Sequence, residues 1–286
     1  MNVSFEDFWP GFDKSNNFFI SVLEKSLSSN IEVSESESAD LIIYSVFSSN
    51  PFQKVIKKKS SAITWFYTGE NVRPNYDAYD AIFSFDYSSR ANAFRLPLWW
   101  MYLDLNRASN QDSLWDNMIN PWTLHEPRSA LLSEESFRSV SAFIGNQTKV
   151  RASAIEKIPS NFSFEGFGSS FSNPVSSKMA YRGKFGFNIC FENSYFPGYH
   201  TEKLLQAWAM GSVPLYYGSK TVSLDFNPSS FINLADYDSF EGFWDFIGSL
   251  SQYDVQSIIN QPLLKEPFTL KPLFDFVRNS LGVSHE

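Results

Sequence analysis

The stretch of this chain best equipped for chemistry is "FENSYFPGYHTEK", Phe191–Lys203. It follows an apolar run, "FGFNIC", that predicts a buried strand, and it precedes "TEKLLQAWAMG", where Leu204, Leu205, Trp208 and Ala209 recur at helical spacing. The strand therefore ends at Glu192 and Asn193, and the helix opens at Thr201. Thr201 is a good N-cap and Glu202 suits the first turn, but Lys203 opposes the helix macrodipole by about 0.3–1 kcal/mol. A helix start also offers free N–H groups to an anion, and a hydrogen bond from a lysine to phosphate is worth about 1.5–3 kcal/mol. On that balance Lys203 is unfavourable in the empty protein and favourable with phosphate bound. The competing reading is an ordinary solvated lysine.

The elements that must hold this stretch alternate between strand and helix. In the first half, "MNVSF", "ADLIIYSVF", "AITWFYTGE" and "YDAIFSFD" predict strands, while "NNFFISVLEKSLSS" and "NPFQKVIKKK" predict helices. "VSESESAD" predicts a turn. Residues 105–137 show weak periodicity and many breakers, as a linker between domains would. The alternation then restarts with strands at "VSAFIGN", "FSFEGFGS", "FGFNICFEN", "VPLYYG" and "SSFINLAD". Helices are expected at "TKVRASAIEKI", "SNPVSSKMAYRGK", from Thr201, at "SFEGFWDFIGSL" and at "LKPLFDFVRNSLG". Such alternation predicts two doubly wound α/β domains with parallel sheets, residues 1–136 and 137–286, the last helix being free to pack back on the first domain. Ligands of such sheets lie beyond the carboxyl ends of the strands, where Glu192 and Asn193 fall.

Composition narrows the function classes. The 286 residues are 43% hydrophobic and only 19% charged, so disorder is excluded. A net charge of −8 argues against a nucleic-acid partner. The charge is uneven: residues 1–136 carry 18 acidic and 11 basic side chains and residues 137–286 carry 13 and 12, which favours the second half for an anionic ligand. The single cysteine, Cys190, permits no internal disulfide and lies in an apolar run, as a small buried hydrophobe does. With no signal peptide and no apolar stretch near the roughly 20 residues of a membrane span, the expectation is a soluble cytoplasmic protein.

The pattern "FNICFENSYFPGYHTEK" followed by "AWAMGSVPLYYG" resembles the donor-binding motif of the α-1,3-fucosyltransferases of glycosyltransferase family 10. "WFYTGENVRPNYDAYD", "RLPLW" and "DFNPSSFINLADY" also match that family, so the resemblance runs from about Trp65 to Ile247. It implies a GT-B fold, two Rossmann-like domains facing a cleft, with an acceptor-binding N-terminal and a donor-binding C-terminal domain. It implies GDP-fucose as donor, a glycan acceptor, an inverting displacement, no cofactor and no metal. Carried over residue by residue, Lys203 and Arg151 would contact the pyrophosphate and Glu202 the ribose hydroxyls. Asn193, Tyr199 and Glu192 would line the donor site, and Glu70 would be the general base. The alternatives are an inactive nucleotide-sugar- or glycan-binding module of the same fold, or a transferase using another nucleotide-sugar. His200 departs from the family, which usually has an apolar residue there; its ring could touch the donor or fill the same space. "VRP" stands where many relatives carry a second glutamate, so Glu70 is the one carboxylate of its segment.

Other motifs have plainer readings. "DYD", Asp236–Asp238, imitates a metal-binding DxD, but Asp238 or Ser239 more simply caps the next helix. "KVIKKK" reads as a solvated helix end. Trp99, Trp100 and Tyr102 read as core, with an acceptor-stacking platform as the alternative. His125 and His285 lack partners at metal-ligand spacing, and no Walker A, GxGxxG or G-x-S-x-G occurs.

Overall fold

The computed structural model describes residues 1–48, 61–106 and 118–283, which divide into two compact units. Residues 1–107 with 269–286 form one, and residues 108–268 form the other. The sequence expectation placed the division after residue 136 and assigned the last helix to the second domain, with the first as its possible support. By contact the last helix groups with the first unit, and the break falls at 107/108.

The first unit is built on a six-stranded, wholly parallel sheet: β1 (Asn2–Glu6), β2 (Glu32–Val33), β3 (Leu41–Tyr44), β4 (Ile63–Thr68), β5 (Ala81–Ser84) and β6 (Ala93–Arg95), in the order β2-β1-β3-β4-β5-β6. Its central strands are nearly continuous apolar runs because helices and loops cover both faces. Helix α1 (Phe18–Leu27) starts where the Asn17 side chain accepts from Ile20 N at 3.1 Å and stops at Ser28, which is left-handed at φ 51°. Its buried Phe19 meets Tyr67 and Phe83 edge-on at 5.2 and 6.0 Å. The C-terminal helix, Lys271–Ser280, buries Leu273 and Val277, sets Phe276 edge-on against Phe83, and donates from Arg278 Nε to Ser26 O at 2.7 Å.

"VSESESAD" opens on Val33, the last residue of β2, and forms a short 3-10 turn at Ser36–Ser38. Of the "RLPLWWMY" aromatics Trp99 is buried, while Trp100 and Tyr102 are half-buried in a 3-10 turn. The expected helix around Lys54–Lys59 lies outside the described residues.

The second unit holds a five-stranded parallel sheet, order β11-β10-β9-β7-β8, from β7 (Ser139–Phe143), β8 (Ser163–Phe167), β9 (Phe187–Ile189), β10 (Val213–Tyr216) and β11 (Ile232–Asn233). Its helices are α2 (Glu134–Phe137), α3 (Lys149–Glu156), α4 (Glu202–Ala209), α5 (Val222–Asp225), α6 (Phe240–Ser249) and α7 (Gln252–Ile259). Val140, Ala142, Phe187, Leu215, Phe243 and Trp244 form the heart of its core. Pro214 is tolerated inside an inner strand because Val213 and Leu215 bond β9, so Pro214 turns toward β11, whose pairing begins only at Leu215.

Two expectations change here. Helix α7 did not stand out in the sequence, although Ser251 and Asp254 form a reciprocal capping box at its start. The latter part of the expected linker is integral to the second unit: Arg128 Nε donates to Ile259 O at 3.0 Å, its guanidinium lies 3.9 Å over the Trp208 ring, and Leu132 N donates to Gln256 at 2.7 Å.

Candidate functional site

Strand β9 does not stop at its last ladder residue. Cys190 N donates to Leu215 O at 2.9 Å and Glu192 N to Tyr217 O at 2.8 Å, so the main chain stays fastened to β10 up to Glu192. Burial holds the Cys190 thiol well above its usual range. The loop beyond turns at Gly198, whose φ of +81° favours glycine, and Gly198 N donates to Thr221 Oγ1 at 2.9 Å. His200 completes that anchorage. Its buried ring pairs Nδ1 with Asp225 at 2.6 Å and Nε2 with Thr221 Oγ1 at 3.2 Å, tying the loop to the segment after β10. The ring thereby fastens the loop to α5.

Thr201 sits at the N-cap of α4, but its side chain makes no cap bond, contrary to expectation. Its Oγ1 donates instead to Glu192 Oε2 at 2.6 Å, and its N–H donates to Glu192 Oε1 at 2.8 Å. Lys203 Nζ closes the group, 2.9 Å from Thr201 Oγ1, 3.3 Å from Glu192 Oε2 and 3.9 Å from Glu202 Oε1. The expectation that Lys203 is unfavourable at an empty helix start is therefore corrected. Two carboxylates offset the dipole: burial lowers the Lys203 pKa, but Glu192 and Glu202 outweigh it and hold the amine above its ordinary value.

Arg151 enters from α3, whose Thr148 cap accepts from Arg151 N at 3.3 Å. The side chain is 3% exposed and spans to the end of β9, where Nη2 donates to Asn193 Oδ1 at 2.8 Å and to Phe191 O. Burial lowers the guanidinium pKa, and Glu192, Glu202 and then Tyr199 work against that shift. Burial would raise Glu202, but Lys203 and Lys178 more than offset it, so Glu202 lies below the usual carboxylate range.

The second unit thus brings together Arg151, Glu192, Asn193, Tyr199, Glu202 and Lys203. Glu70 belongs to the first unit, two residues past the end of β4, half-buried. Its N–H donates to Thr68 Oγ1 at 3.2 Å, and that hydroxyl donates to Glu70 O at 3.0 Å. Gly69 makes this turn fit, since a Cβ there would lie 2.7 Å from both Leu98 Cδ1 and the Tyr67 hydroxyl.

Two neighbours escaped the sequence reading. Lys178, in the 3-10 turn Lys178–Tyr181, donates to Gln206 Oε1 at 2.7 Å. Gln206 carried a usable signal, a polar residue on a helix otherwise given to burial; Lys178 looked like any lysine of a short surface helix. In "DYD", Ser239 rather than Asp238 caps α6, accepting from Gly242 N at 3.0 Å. Among the described residues, no group of three or more His, Cys, Asp or Glu side chains could hold a metal ion. Among them, too, no helix is long and apolar enough to cross a membrane.

Residues 3–102 match the α-(1,3)-fucosyltransferase FucT N-terminal domain, and residues 134–257, which carry the Arg151–Lys203 cluster, match the glycosyltransferase family 10 (fucosyltransferase) C-terminal domain. Both halves of the chain thus resemble the two domains of family 10 fucosyltransferases. The chain is 29% identical to the α-(1,3)-fucosyltransferase FucT of Helicobacter pylori over 84% of this chain and 55% of that protein. It is also 29% identical, over 35% of this chain and 17% of the other, to putative fucosyltransferase R654 of Acanthamoeba polyphaga mimivirus. This chain thus spans about half or less of the curated relatives it matches. Among solved structures, a crystal structure of α1,3-fucosyltransferase superposes with a TM-score of 0.75 at 24% identity, covering 99% of this chain and 90% of that one. A crystal structure of the enzyme with GDP-fucose gives 0.70 at 21%, covering 100% and 91%. At these identities the likeness establishes the fold, which is α/β of the GT-B class.

Proposed function

We propose that this chain transfers L-fucose from GDP-fucose to a hydroxyl of a glycan acceptor with inversion at the anomeric carbon, the acceptor being N-acetylglucosamine or glucose of a β-galactoside linked α-1,3. The observation that carries the reading is the joining of Arg151, Asn193, Glu202 and Lys203 at the end of β9 and the start of α4, within the segment matched by the family's C-terminal domain.

The chemistry asks for these groups. As the glycosidic bond to the phosphate breaks, the bonding electrons pass to the leaving GDP. Arg151, Lys203 and the start of α4 would stabilise that growing charge, so no metal or other cofactor is needed. Glu202 would accept hydrogen bonds from the ribose hydroxyls, while Asn193, Tyr199 and Glu192 shape the donor site, Glu192 by holding Lys203. The acceptor hydroxyl must lose a proton as its oxygen attacks the anomeric carbon, and Glu70 would take it.

Mass spectrometry of products from a glycan panel offered GDP-fucose, GDP-mannose and UDP-galactose tests this reading. A fucose-sized mass increment with GDP-fucose alone is expected, with activity persisting in EDTA. Transfer from another donor would reassign the sugar. Nucleotide binding without transfer on any acceptor would make the chain a binding module, and loss in EDTA restored by manganese would reinstate a metal.

A further inference from the structure

Arg151, Lys178 and Lys203 line one crevice in the second unit, together with Cys190 and Gln206. With Glu192 and Glu202 beside them, three cations face two carboxylates. Two of the cations already have work: Arg151 holds Asn193, and Lys203 holds Glu192. Lys178 comes from a separate segment and is fixed at its tip by the 2.7 Å hydrogen bond to Gln206 Oε1. Gln206 is 4% exposed and lies four residues after Glu202 on α4, so the two side chains share a helix face one turn apart. The Gln206 amide cannot change its charge, so its carbonyl is a fixed mount for the ammonium on the helix face that also carries Glu202. Consistent with that placement, burial draws the Lys178 amine down and Glu202 is the foremost charge opposing it.

We propose that Lys178 is a positioning residue for the nucleotide: mounted on Gln206, it keeps the Glu202 carboxylate charged and oriented to accept hydrogen bonds from two vicinal hydroxyls of a ribose. Lys203 is shared between two carboxylates, lying closer to Glu192 than to Glu202, 3.3 Å against 3.9 Å, and would turn toward a bound phosphate. Lys178 then remains as a second cation acting on Glu202. The charged groups around Glu202 are Lys203 on its own helix, Lys178 on the 3-10 turn, Arg151 on α3 and Glu192 at the end of β9.

The inference rests on the reading of Glu202 as the ribose contact, and the experiment separates the two. Calorimetry would compare GDP with 2′-deoxy-GDP in the wild type, Lys178→Met, Lys178→Arg and Gln206→Leu. A hydrogen bond to a charged group corresponds to about ten- to hundredfold in affinity, so the wild type should prefer GDP by that order. Lys178→Met should bring the ratio within about threefold, Lys178→Arg should restore it, and Gln206→Leu should fall between. The acid-side loss of GDP affinity should also move to higher pH in Lys178→Met, because a carboxylate deprived of a neighbouring cation protonates more readily; a merely structural lysine would lower affinity for both nucleotides without moving that limb. A folded Lys178→Met that keeps the full preference overturns the proposal and leaves the ribose reading intact. If that variant does not fold, an undiminished preference in Gln206→Leu overturns it equally. A wild type that binds GDP and 2′-deoxy-GDP alike overturns the ribose reading, and the proposal with it.

Discussion

Thr201 donates its hydroxyl to one oxygen of Glu192 at 2.6 Å and its backbone N–H to the other at 2.8 Å, so the residue at the cap of α4 fastens a buried carboxylate to the helix start. That carboxylate is fully buried and would be costly without a cation. Lys203 supplies it, which makes the lysine structural in the empty protein as well as ready for an anion.

Lys203→Met should therefore affect both states. Removing the ammonium takes from Glu192 its hydrogen-bonded counter-charge, and stability should fall by about 1–3 kcal/mol. GDP affinity should fall too, and turnover further, because the charge that Lys203 meets grows in the transition state. Thermal melting with and without GDP measures both effects. An unchanged melt without ligand would remove the structural role, and unchanged GDP affinity the binding role. Arg151→Ala should weaken binding similarly, and the double variant should be non-additive, since both cations act in one network.

Glu202 gives a pH signature. Its pKa is lowered in the folded protein, because Lys203 and Lys178 outweigh the burial that would raise it. A depressed carboxylate contributes stability that is complete above its unfolded pKa of about 4.3 and is lost as pH falls through the lower folded value. Glu202→Gln mimics the protonated form. The stability gap between wild type and variant should thus be full at neutral pH and close as pH falls below about 4. A gap that stays constant across that window in urea titrations would show that charge is not the cause.

His200→Val replaces the ring by an apolar side chain and should be harmful. It strips Asp225 Oδ2 of a partner at 2.6 Å and Thr221 of another at 3.2 Å, releasing the loop that ends at Thr201. A loss of about 1–3 kcal/mol is expected, the usual effect of removing one partner of a part-buried hydrogen bond, and the nucleotide should recover part of it by reordering the loop. His200→Val with unaltered stability and GDP affinity would reduce the ring to space-filling.

Much of this arrangement was legible because the local signals agreed. The β-branched and aromatic runs at Leu41–Tyr44 and Ile63–Thr68 could only be buried strands, and the helical spacing of Leu204, Leu205 and Trp208 fixed α4. The pairing partners were not legible. Nothing in "TEK" says that the threonine turns to Glu192, a choice made by the extension of β9 along β10 as far as Glu192. Lys178 reaches the site from a segment with no marked periodicity, through a contact 28 residues away in sequence. The unit boundary was missed for a related reason: residues 118–133 look like a linker locally and are held by Trp208, Gln256 and Ile259 from far along the chain.

Glu70→Gln tests the proposed chemistry most directly. Glu70 stands just beyond the end of β4, in a turn fixed by Thr68 on one side and by the absence of a side chain at Gly69 on the other. Glutamine keeps the size and most of the hydrogen bonding, so this turn should survive and melting should change little. GDP-fucose affinity should also stay near normal, since the proposed donor contacts all lie in the second unit. Transfer to acceptor should fall by about 10²–10⁴-fold, the usual worth of a general base. Where the chemical step limits turnover, the acidic limb of the pH–rate profile should vanish as well, because an amide has no proton to lose in that range. A variant that melts normally and keeps near-normal transfer would remove Glu70 from the mechanism. The base would then have to be sought among the second unit's carboxylates. There Glu192 is already committed to Thr201 and Lys203, so Glu202 would be the residue to change next.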